Sequence, residues 1–411
     1  MSRREKKGAG RPARARRGEI VVNDYSERWL RQGFPWVYAG EVATGGPSAP
    51  GTGITVRSGK GEVLGRALAD EGWIAARVYR HDGGPLDTPW LEARLDAAAA
   101  LRERVVDPRT TGYRLVHGEN DGLPGLRVDW WESYAVVVLD SPAVAPLVEG
   151  VCRWLERVRS PRGVHLCYRP DPRDKRDFSS LRPAPGLVAG HRAVGDVRVA
   201  ERGLAFLVRP WDGPDVGMYP DMREVRAWLE PHWGGRAVLN TFAYTGAFSV
   251  AAALGGATEV VSVDLAPAAI ERAEANFAAN GLEPDQYEFM VEDTFKALDR
   301  FRRTGRAFDL VILDPPAFSR SDAGTWSAKR DWPRLVAAAC RVLRPDGWLV
   351  AASNQGEISP KEFAGLQGEG FKKARRRAQE IQRLGQAPDF PAASWFPEGR
   401  YLKVVVWRMV D

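Results

Sequence analysis

The stretch that decides the fold is residues 237–264, AVLNTFAYTGAFSVAAALGGATEVVSVD. It contains a short apolar strand, AVLNTF, a turn with Gly246, an alanine-rich helix at 246–254 and a second apolar strand, EVVSVD. Apolar strands that alternate with helices build a parallel sheet with helices on both faces. The stretch therefore predicts an α/β domain.

The same alternation continues on both sides of this stretch. Strands YEFMVED, FDLVILD and GWLVAAS follow it, and each of them is preceded by a helical stretch. The helices with predicted bounds are 222–230, 267–280 and 328–343. In sheets of this class ligands bind beyond the carboxyl ends of the strands, so the residues that close each strand are the candidates for chemistry.

Three of the predicted strands end in an aspartate, namely Asp264, Asp293 and Asp314. Asp264 follows Gly246 by 18 residues, which suits a carboxylate that takes both hydroxyls of a ribose, and Asp293 is in position for an adenine edge. Any one of the three could instead cap the following helix, but three at successive strand ends favour a cofactor site. The turn lacks a phosphate-cradling glycine pair, which favours S-adenosylmethionine (SAM) over NAD or ATP.

The expected cofactor contacts come from the turn, from two strand ends and from the segment before the first strand. The candidates are Asn240, Phe242, Tyr244, Thr245, Gly246, Asp264, Leu265, Asp293, Thr294, Asp221 and Arg223. We expect the turn at 241–246 to hold the methionine portion of the cofactor. Arg223 is a candidate for a carboxylate or phosphate contact, and an ion pair between helix and sheet is an equally good alternative.

The segment DPPAF at 314–318 indicates which kind of substrate the site holds. Its two prolines stiffen the loop after the strand. A carboxylate, carbonyl oxygens and an aromatic ring on such a loop can hold a flipped-out base by its edge and its plane. We therefore expect Asp314, Pro315 and Phe318 at the catalytic centre.

Length and composition bound the remaining possibilities. A chain of 411 residues predicts two or three domains. It has no run of 18 apolar residues, so no membrane-spanning helix is expected, and three scattered cysteines favour neither a disulfide framework nor a zinc site. A cytoplasmic protein is the prediction. Residues 1–18 contain eight Lys or Arg and one Glu, which predicts a disordered basic arm that contacts phosphates.

The first half of the chain differs from the second in its pattern of apolar runs and turn residues. Short apolar runs cut by Gly and Pro at 19–87 predict a small β-barrel or sandwich. A helix is expected at 88–107, with Thr88 as its N-cap and Pro89 in its first turn. Mixed strands and a helix at 143–158 then predict a central α+β domain within 88–205, ahead of the α/β domain at 206–411.

Several long motifs resemble one family. YRLVHGENDGLPGLRVD (113–129), GMYPDMRE (217–224), the cofactor turn and FPEGRYLKVVVWRM (396–409) resemble the bacterial 23S ribosomal RNA methyltransferases of the RlmI type. The last of these resembles the family's C-terminal strand pair. The resemblance implies a PUA-like RNA-binding barrel at 19–87, a central α+β domain and a Rossmann-like class I methyltransferase that uses SAM. It implies ribosomal RNA as partner, no membrane and a possible homodimer.

One position departs from the cytosine-C5 members of that family. Methylation of C5 needs a thiolate that adds at C6, and those relatives carry the cysteine in a Ser-Cys-Ser segment. Here the segment reads Ala352-Ser353-Asn354, so Asn354 is expected to face the base. This segment and DPPAFSRS resemble RlmK-type guanine-N7 methyltransferases, which predicts transfer without a covalent cysteine intermediate. A true cytosine-C5 enzyme and a catalytically inactive RNA-binding assembly factor remain the alternatives.

Overall fold

The computed structural model describes residues 15–46, 48–169, 183–212, 216–316, 320–321, 324–325 and 327–411, with the backbone alone at 320, 321, 324 and 325. The chain forms two compact units. The first comprises residues up to Arg104, Arg114–Arg192 and Ala392–Gly399, and the second Val105–Tyr113, Ala193–Pro391 and Arg400–Asp411. The predicted barrel at 19–87 and the predicted central domain at 88–205 thus lie largely in the first unit. The division into three domains stays a prediction, and the predicted arm lies outside the described residues up to position 14.

A six-stranded, barrel-like sheet opens the first unit. Its strands are β1 (Glu19–Val22), β2 (Trp36–Tyr38), β3 (Val42–Thr44), β4 (Gly53–Arg57), β5 (Val63–Ala69) and β6 (Ile74–Arg80), in the spatial order β2-β6-β5-β4-β1-β3. Alternate side chains such as Val37, Val56 and Ala76 are fully buried in one core, which helix α1 (Asp24–Leu30) closes with Leu30. The prediction of a small β-barrel is confirmed, with strands from Glu19 to Arg80, and the boundary at residue 87 stays a prediction.

Helix α2 spans Thr88–Val105 and corrects one detail of the sequence analysis. Thr88 was expected as the N-cap, but it is the first helical residue. The Asp87 side chain instead accepts the amide of Trp90 at 3.0 Å. A carboxylate one residue earlier satisfies the same free helix amides, so Asp87 takes the capping position.

A five-stranded sheet follows in the chain. Its strands are β7 (Gly112–His117), β8 (Leu126–Trp131), β9 (Tyr134–Leu139), β10 (Gly163–Tyr168) and β11 (Gly186–Gly190), in the order β11-β10-β9-β8-β7. The helix expected at 143–158 is a 3₁₀ turn at Pro142–Leu147 that continues into helix α3 (Val148–Arg159). Pro146 lies inside the first part and lacks the amide hydrogen of a regular helix.

The GENDGLPG motif at 118–125 has a structural role within the first unit. Its Glu119 carboxylate accepts hydrogen bonds from Trp36 Nε1 and from the Gly125 amide, both at 3.0 Å. Arg77 of β6 lies 3.5 Å from the same carboxylate and pairs with Asp70 at 2.8 Å. Trp36 and Arg77 belong to the barrel, whereas the motif connects β7 to β8, so these contacts join the barrel to the five-stranded sheet.

The second unit is built on a seven-stranded sheet. A hairpin of β12 (Val197–Glu201) and β13 (Leu204–Val208) precedes it. The remaining strands are β14 (Ala237–Thr241), β15 (Glu259–Asp264), β16 (Glu288–Val291), β17 (Phe308–Leu313), the two-residue strands β18 (Arg320–Ser321) and β19 (Gly324–Thr325), and β20 (Leu343–Ser353), β21 (Ala378–Leu384) and β22 (Lys403–Met409). The helices are α4 (Arg223–Leu229), α5 (Ala247–Leu254), α6 (Pro267–Ala279), α7 (Thr294–Thr304), α8 (Ala328–Cys340) and α9 (Pro360–Ala374).

The strand order of this sheet is β16-β15-β14-β17-β20-β22-β21. The first five strands are parallel, as predicted, and their order reverses between β14 and β17. A crevice opens at such a reversal, beyond the carboxyl ends of the strands. The predicted α/β Rossmann-like domain is therefore confirmed, with Leu239 of β14 and Val311 of β17 fully buried between helices on both faces.

The C-terminal part of the sheet differs from the expectation. Only Lys403–Met409 of the motif at 396–409 is a strand, and it runs antiparallel to both β20 and β21. The first part of the motif is not a strand, since Pro397–Gly399 forms a 3₁₀ turn. The strand that pairs with β22 at the edge of the sheet is therefore β21. Inserting β22 between β20 and β21 brings its first residues to the carboxyl end of β20.

Candidate functional site

The turn after β14 has an unusual backbone. Phe242, Tyr244 and Gly246 have φ angles of 55°, 48° and 76°, in the left-handed region that costs non-glycine residues about 1–3 kcal/mol each. At Gly246 an added Cβ would lie 2.9 Å from the Cβ of Ala273, so glycine is required there on both counts. Strain of this kind persists only where the surroundings hold it.

Three hydrogen bonds hold this turn. The Thr245 hydroxyl donates to the Gly217 carbonyl at 2.7 Å, and Asn276 Nδ2 donates to the Thr245 carbonyl at 2.8 Å. The Tyr244 amide donates to Asp264 Oδ2 at 2.8 Å. Thr245 itself is buried, so its side chain positions the turn rather than facing solvent.

Asp264 closes β15 and stands next to the turn. Its Oδ1 accepts the Ala266 amide at 2.9 Å, while Oδ2 accepts the Tyr244 amide. A carboxylate oxygen has two lone pairs, so each oxygen keeps one for a ligand hydroxyl. The next residue, Leu265, leaves 52% of its surface exposed beside this carboxylate. A polar acceptor next to an exposed apolar side chain fits a nucleoside.

Asp293 follows β16 and is the N-cap of α7. Its Oδ1 accepts the amides of Phe295 and Lys296, at 3.0 and 3.2 Å. The helix-capping alternative therefore holds for Asp293, although Oδ2 takes neither bond and keeps its acceptor capacity. Thr294 is buried as the first residue of the helix.

Two expected cofactor contacts have structural roles instead. Asn240 is 2% exposed, and its Nδ2 donates to Ser249 Oγ at 2.9 Å between β14 and α5. Arg223 is 1% exposed and forms an ion pair with buried Asp389. The structure thus favours the ion-pair alternative for Arg223 and packing for Asn240, because neither side chain reaches a surface.

The segment before α4 lies against the turn. The Tyr219 ring, 45% exposed, lies 5.2 Å from the Tyr244 ring. Asp221 Oδ2 accepts a hydrogen bond from the Tyr401 hydroxyl at 2.8 Å. Asp221 thus stands at the same edge of the sheet as the turn, tied to the residue two before β22.

Asp314 follows β17 and is partly buried. Burial raises the pKa of Asp314 to about 7, and the negative charge of Asp221 adds to the effect. Arg226 lowers the pKa of Asp314, but that guanidinium already pairs with Glu201 at 2.6 Å. Asp314 therefore changes its protonation state near neutral pH, which suits hydrogen bonding to a base or proton transfer.

The residues around Asp314 complete the expected catalytic centre in part. Pro315, the next residue in the chain, is buried. Phe318 lies outside the described residues, so its contact with a base stays a prediction. Asn354 follows β20 and is exposed, while Ser353 before it is buried. Asp314 and Asn354 thus close neighbouring parallel strands at one edge of the sheet.

Two further residues lie at this edge, Tyr401 and Lys403, and neither was predicted from the sequence. Lys403 is 8% exposed, and its ammonium donates to the carbonyls of Gln355 at 2.7 Å and Tyr401 at 2.8 Å. Burial lowers the pKa of Lys403. A lysine that opens a buried apolar strand was the available signal, since such a position is costly without a purpose.

None of the three cysteines has the properties of a nucleophile. Cys340 is fully buried in α8, and burial raises its pKa to about 12. Burial also raises the pKa of Cys167 in β10, to about 11, and that of Cys152 in α3. A thiol reacts as the thiolate, so none of the three is activated.

Two further features are absent from the part of the chain that the structure describes. Among the described residues no group of three or more His, Cys, Asp or Glu is placed to bind a metal ion. No helix within the described ranges is long and apolar enough to cross a membrane.

Comparison with protein families matches both halves of the chain. Residues 184–406 match the S-adenosylmethionine-dependent methyltransferase family, and residues 20–81 match a PUA-like domain. Ribosomal RNA large subunit methyltransferase I of Erwinia tasmaniensis is 33% identical over 402 residues, covering 95% of this chain and 99% of that protein. The protein of the same name from Photobacterium profundum is 33% identical over 390 residues, covering 92% and 96%.

Solved structures share the fold. A structure described as a SAM-dependent methyltransferase from Streptococcus mutans matches with a TM-score of 0.82 and 23% identity, covering 95% of this chain and 99% of that one. A methyltransferase structure in complex with S-adenosylhomocysteine (SAH) matches with a TM-score of 0.84 and 22% identity, over the same shares. At this identity the likeness shows the architecture, from the barrel to the last strand.

Proposed function

This chain belongs to the family of SAM-dependent methyltransferases that includes the ribosomal RNA large subunit methyltransferases I, and we propose that it methylates a base of large-subunit ribosomal RNA. The observation that supports this most directly is the grouping of Asp264, Asp314 and Asn354 at the carboxyl edge of one Rossmann-like sheet. Cofactor and target base would meet at that edge. The cytoplasmic location and the homodimer stay predictions. Light scattering, which measures the molar mass in solution, tests for the homodimer.

The residues present fit SAM. Asp264 has lone pairs free for ribose hydroxyls, Leu265 offers an apolar surface, and Asp293 Oδ2 is available to an adenine amine. The strained turn at 242–246 would take the methionine portion, and no phosphate-binding glycine pair is present in it. When bound, SAM supplies an electrophilic methyl group on a positively charged sulfur.

Asp314, Pro315 and Asn354 would hold the target base on the other side of this edge. A carboxyl group with a pKa of about 7 can accept a hydrogen bond from an amine or donate one to a ring atom. Asn354 offers one acceptor and two donors, which suits the edge of a base. Lys403 would keep the loop after β20 in place through the Gln355 carbonyl.

We propose that transfer occurs without a covalent enzyme–RNA intermediate. The lone pair of a base nitrogen forms the new bond to the methyl carbon while the carbon–sulfur bond breaks, and this needs positioning rather than a thiolate. Asn354 at the position of the family cysteine and the high pKa values of the three thiols support this. Attack from cytosine C5 would need the thiolate first.

The test uses transfer of labelled methyl groups to large-subunit RNA, followed by mass spectrometry of the nucleosides. We expect wild-type protein to methylate the RNA, Asp314→Asn to lose most activity, and the exposed loop variant Asp285→Asn to keep it. Replacing each cysteine with serine should preserve turnover, and RNA containing 5-fluorocytosine should form no adduct.

Two outcomes would redirect the proposal. An adduct with fluorocytosine, or loss of activity with one cysteine, would establish the cytosine-C5 reaction. Binding of SAM and RNA without transfer would favour the RNA-binding assembly factor.

A further inference from the structure

A cleft of about 320 Å³ lies on a helical face of the second unit. It lies between α7, α8 and the end of α9, and it is not used by the site described above. Its charged lining consists of Arg302, Arg334, Arg341, Lys373 and a single acid, Asp299. Four cations around one carboxylate make this cleft positive.

The surrounding protein neutralises only part of this positive charge. Asp299 is shared between Arg302 at 2.8 Å and the neighbouring Arg303 at 3.0 Å. Arg334 pairs with Asp331 at 2.9 Å. Arg341 and Lys373 have no acidic partner within 4 Å in the described part of the chain. Two full charges therefore remain available to an anion.

The cleft also begins close to the candidate site. Phe295 lines one end of it and follows the Asp293 cap by two residues, at the carboxyl edge of the sheet. From Phe295 to Arg302 the cleft follows α7 over about 10 Å, which is longer than one nucleotide step. The Arg334 guanidinium lies over the Phe295 ring, 5.2 Å from its centroid, which gives the entrance a flat face.

We propose that this cleft binds the phosphate backbone of the RNA strand that flanks the target nucleotide. The proposal rests on the proposed function, since it places the same RNA substrate on a second surface. Arginine and lysine contacts to phosphate supply most of the sequence-independent affinity for RNA and fix the register of the bound strand. Such contacts would position the target base at Asp314 without reading its identity.

The basic residues at 372–377 differ in whether they line this cleft. Arg376 donates to the carbonyls of Cys340 and Leu343, at 3.0 and 3.2 Å, and pairs with Asp411, so it has a structural role. Lys373 lines the cleft, whereas its neighbours Lys372 and Arg375 are exposed and do not. These neighbours provide a matched control with the same charge and nearly the same position.

The experiment compares two double variants with the wild type. The cleft variant is Arg341→Gln with Lys373→Gln, and the control is Lys372→Gln with Arg375→Gln. Affinity for large-subunit RNA is measured over a series of salt concentrations, together with SAM affinity and thermal stability. We expect the cleft variant to lower the slope of log affinity against log salt by roughly 1.4, for two phosphate contacts. The control should keep the wild-type slope, and SAM affinity should stay unchanged in both.

Three results are distinguishable. An equal loss in both variants would overturn the proposal, because the effect would be a diffuse field rather than a cleft. An unchanged slope in the cleft variant, with wild-type methylation intact, would overturn the cleft while leaving the proposed function standing. A wild type that neither binds nor methylates the RNA would overturn both.

Discussion

Three aspartates close three strands of one sheet, and each has a different environment. Asp264 accepts one backbone amide on each oxygen, Asp293 accepts two amides on a single oxygen, and Asp314 stands near another carboxylate. The first therefore orders the turn while keeping lone pairs for a ligand. The second caps a helix. The third is partly buried beside Asp221, and burial raises the pKa of Asp314 to about 7.

Asp264→Ala should weaken SAM binding by about 1.5–3 kcal/mol, because the ribose hydroxyls lose their acceptor and the turn loses the Tyr244 amide contact. Titration calorimetry measures this directly. Asp264→Asn keeps one acceptor oxygen and should lose less, and Asp285→Asn should bind SAM as the wild type does. Wild-type affinity in Asp264→Ala would remove Asp264 from the site.

The raised pKa of Asp314 predicts a pH-dependent affinity for SAM. Below pH 7 the carboxyl group is mostly protonated, and above it the group is an anion. A nearby sulfonium stabilises the anion, so SAM should bind more tightly as pH rises through about 7 and should release a proton. SAH has no positive sulfur and should lack this dependence, as should the variant Asp314→Asn. Equal pH profiles for SAM and SAH would show that Asp314 does not face the methyl donor.

The turn between β14 and α5 is the element on which the site depends. Its left-handed residues turn backbone amides and carbonyls towards Asp264, Gly217 and Asn276. The tight approach of α6 at Gly246 explains why the turn contains glycine there. These contacts fix the backbone of the turn relative to the start of α5.

Gly246→Ala should destabilise the protein and abolish SAM binding, since it adds backbone strain and a contact at 2.9 Å with Ala273. Gly281→Ala is the matched control, with φ of 72° and nothing within 4 Å of the added Cβ. It should cost only the strain, about 1–2 kcal/mol. Thermal unfolding and calorimetry compare the two. Equal losses would show that the close approach of α6 is unimportant.

At the scale of the whole molecule, both compact units are expected to contact the RNA. The first contains the PUA-like barrel, and the second contains the methyltransferase sheet. The basic arm precedes β1, with six Lys or Arg and one Glu at positions 1–14. Its charge suits contact with RNA phosphates.

Deleting residues 1–14 should weaken binding to large-subunit RNA and reduce its dependence on salt. Six lost cations would lower the slope by up to about 4 if every one contacts a phosphate of a single strand. The deletion leaves β1 and the Arg16–Glu19 contact in place, so the fold should be unaffected. A salt slope equal to that of the full chain would show that the arm makes no phosphate contact.

The sequence by itself determined the class of the barrel-like and seven-stranded sheets, the bounds of α4, α5, α6 and α8 to within about three residues, and the strand ends that carry Asp264, Asp293 and Asp314. It set no bounds for α7 and did not predict α9. These features depend on hydrophobic period and on turn residues, which are local. The resemblance to one family supplied the cofactor and the RNA partner, and the comparisons agree with it.

Only the tertiary structure decided which distant side chains meet. Arg223 pairs with Asp389, 166 positions away, and Tyr401 donates to Asp221 across 180 positions. Lys403 reaches the loop after β20 because β22 is inserted antiparallel into the sheet. No local pattern encodes such partners, since they depend on how the elements pack. For the same reason the cleft between α7 and α8 could not be read from the chain.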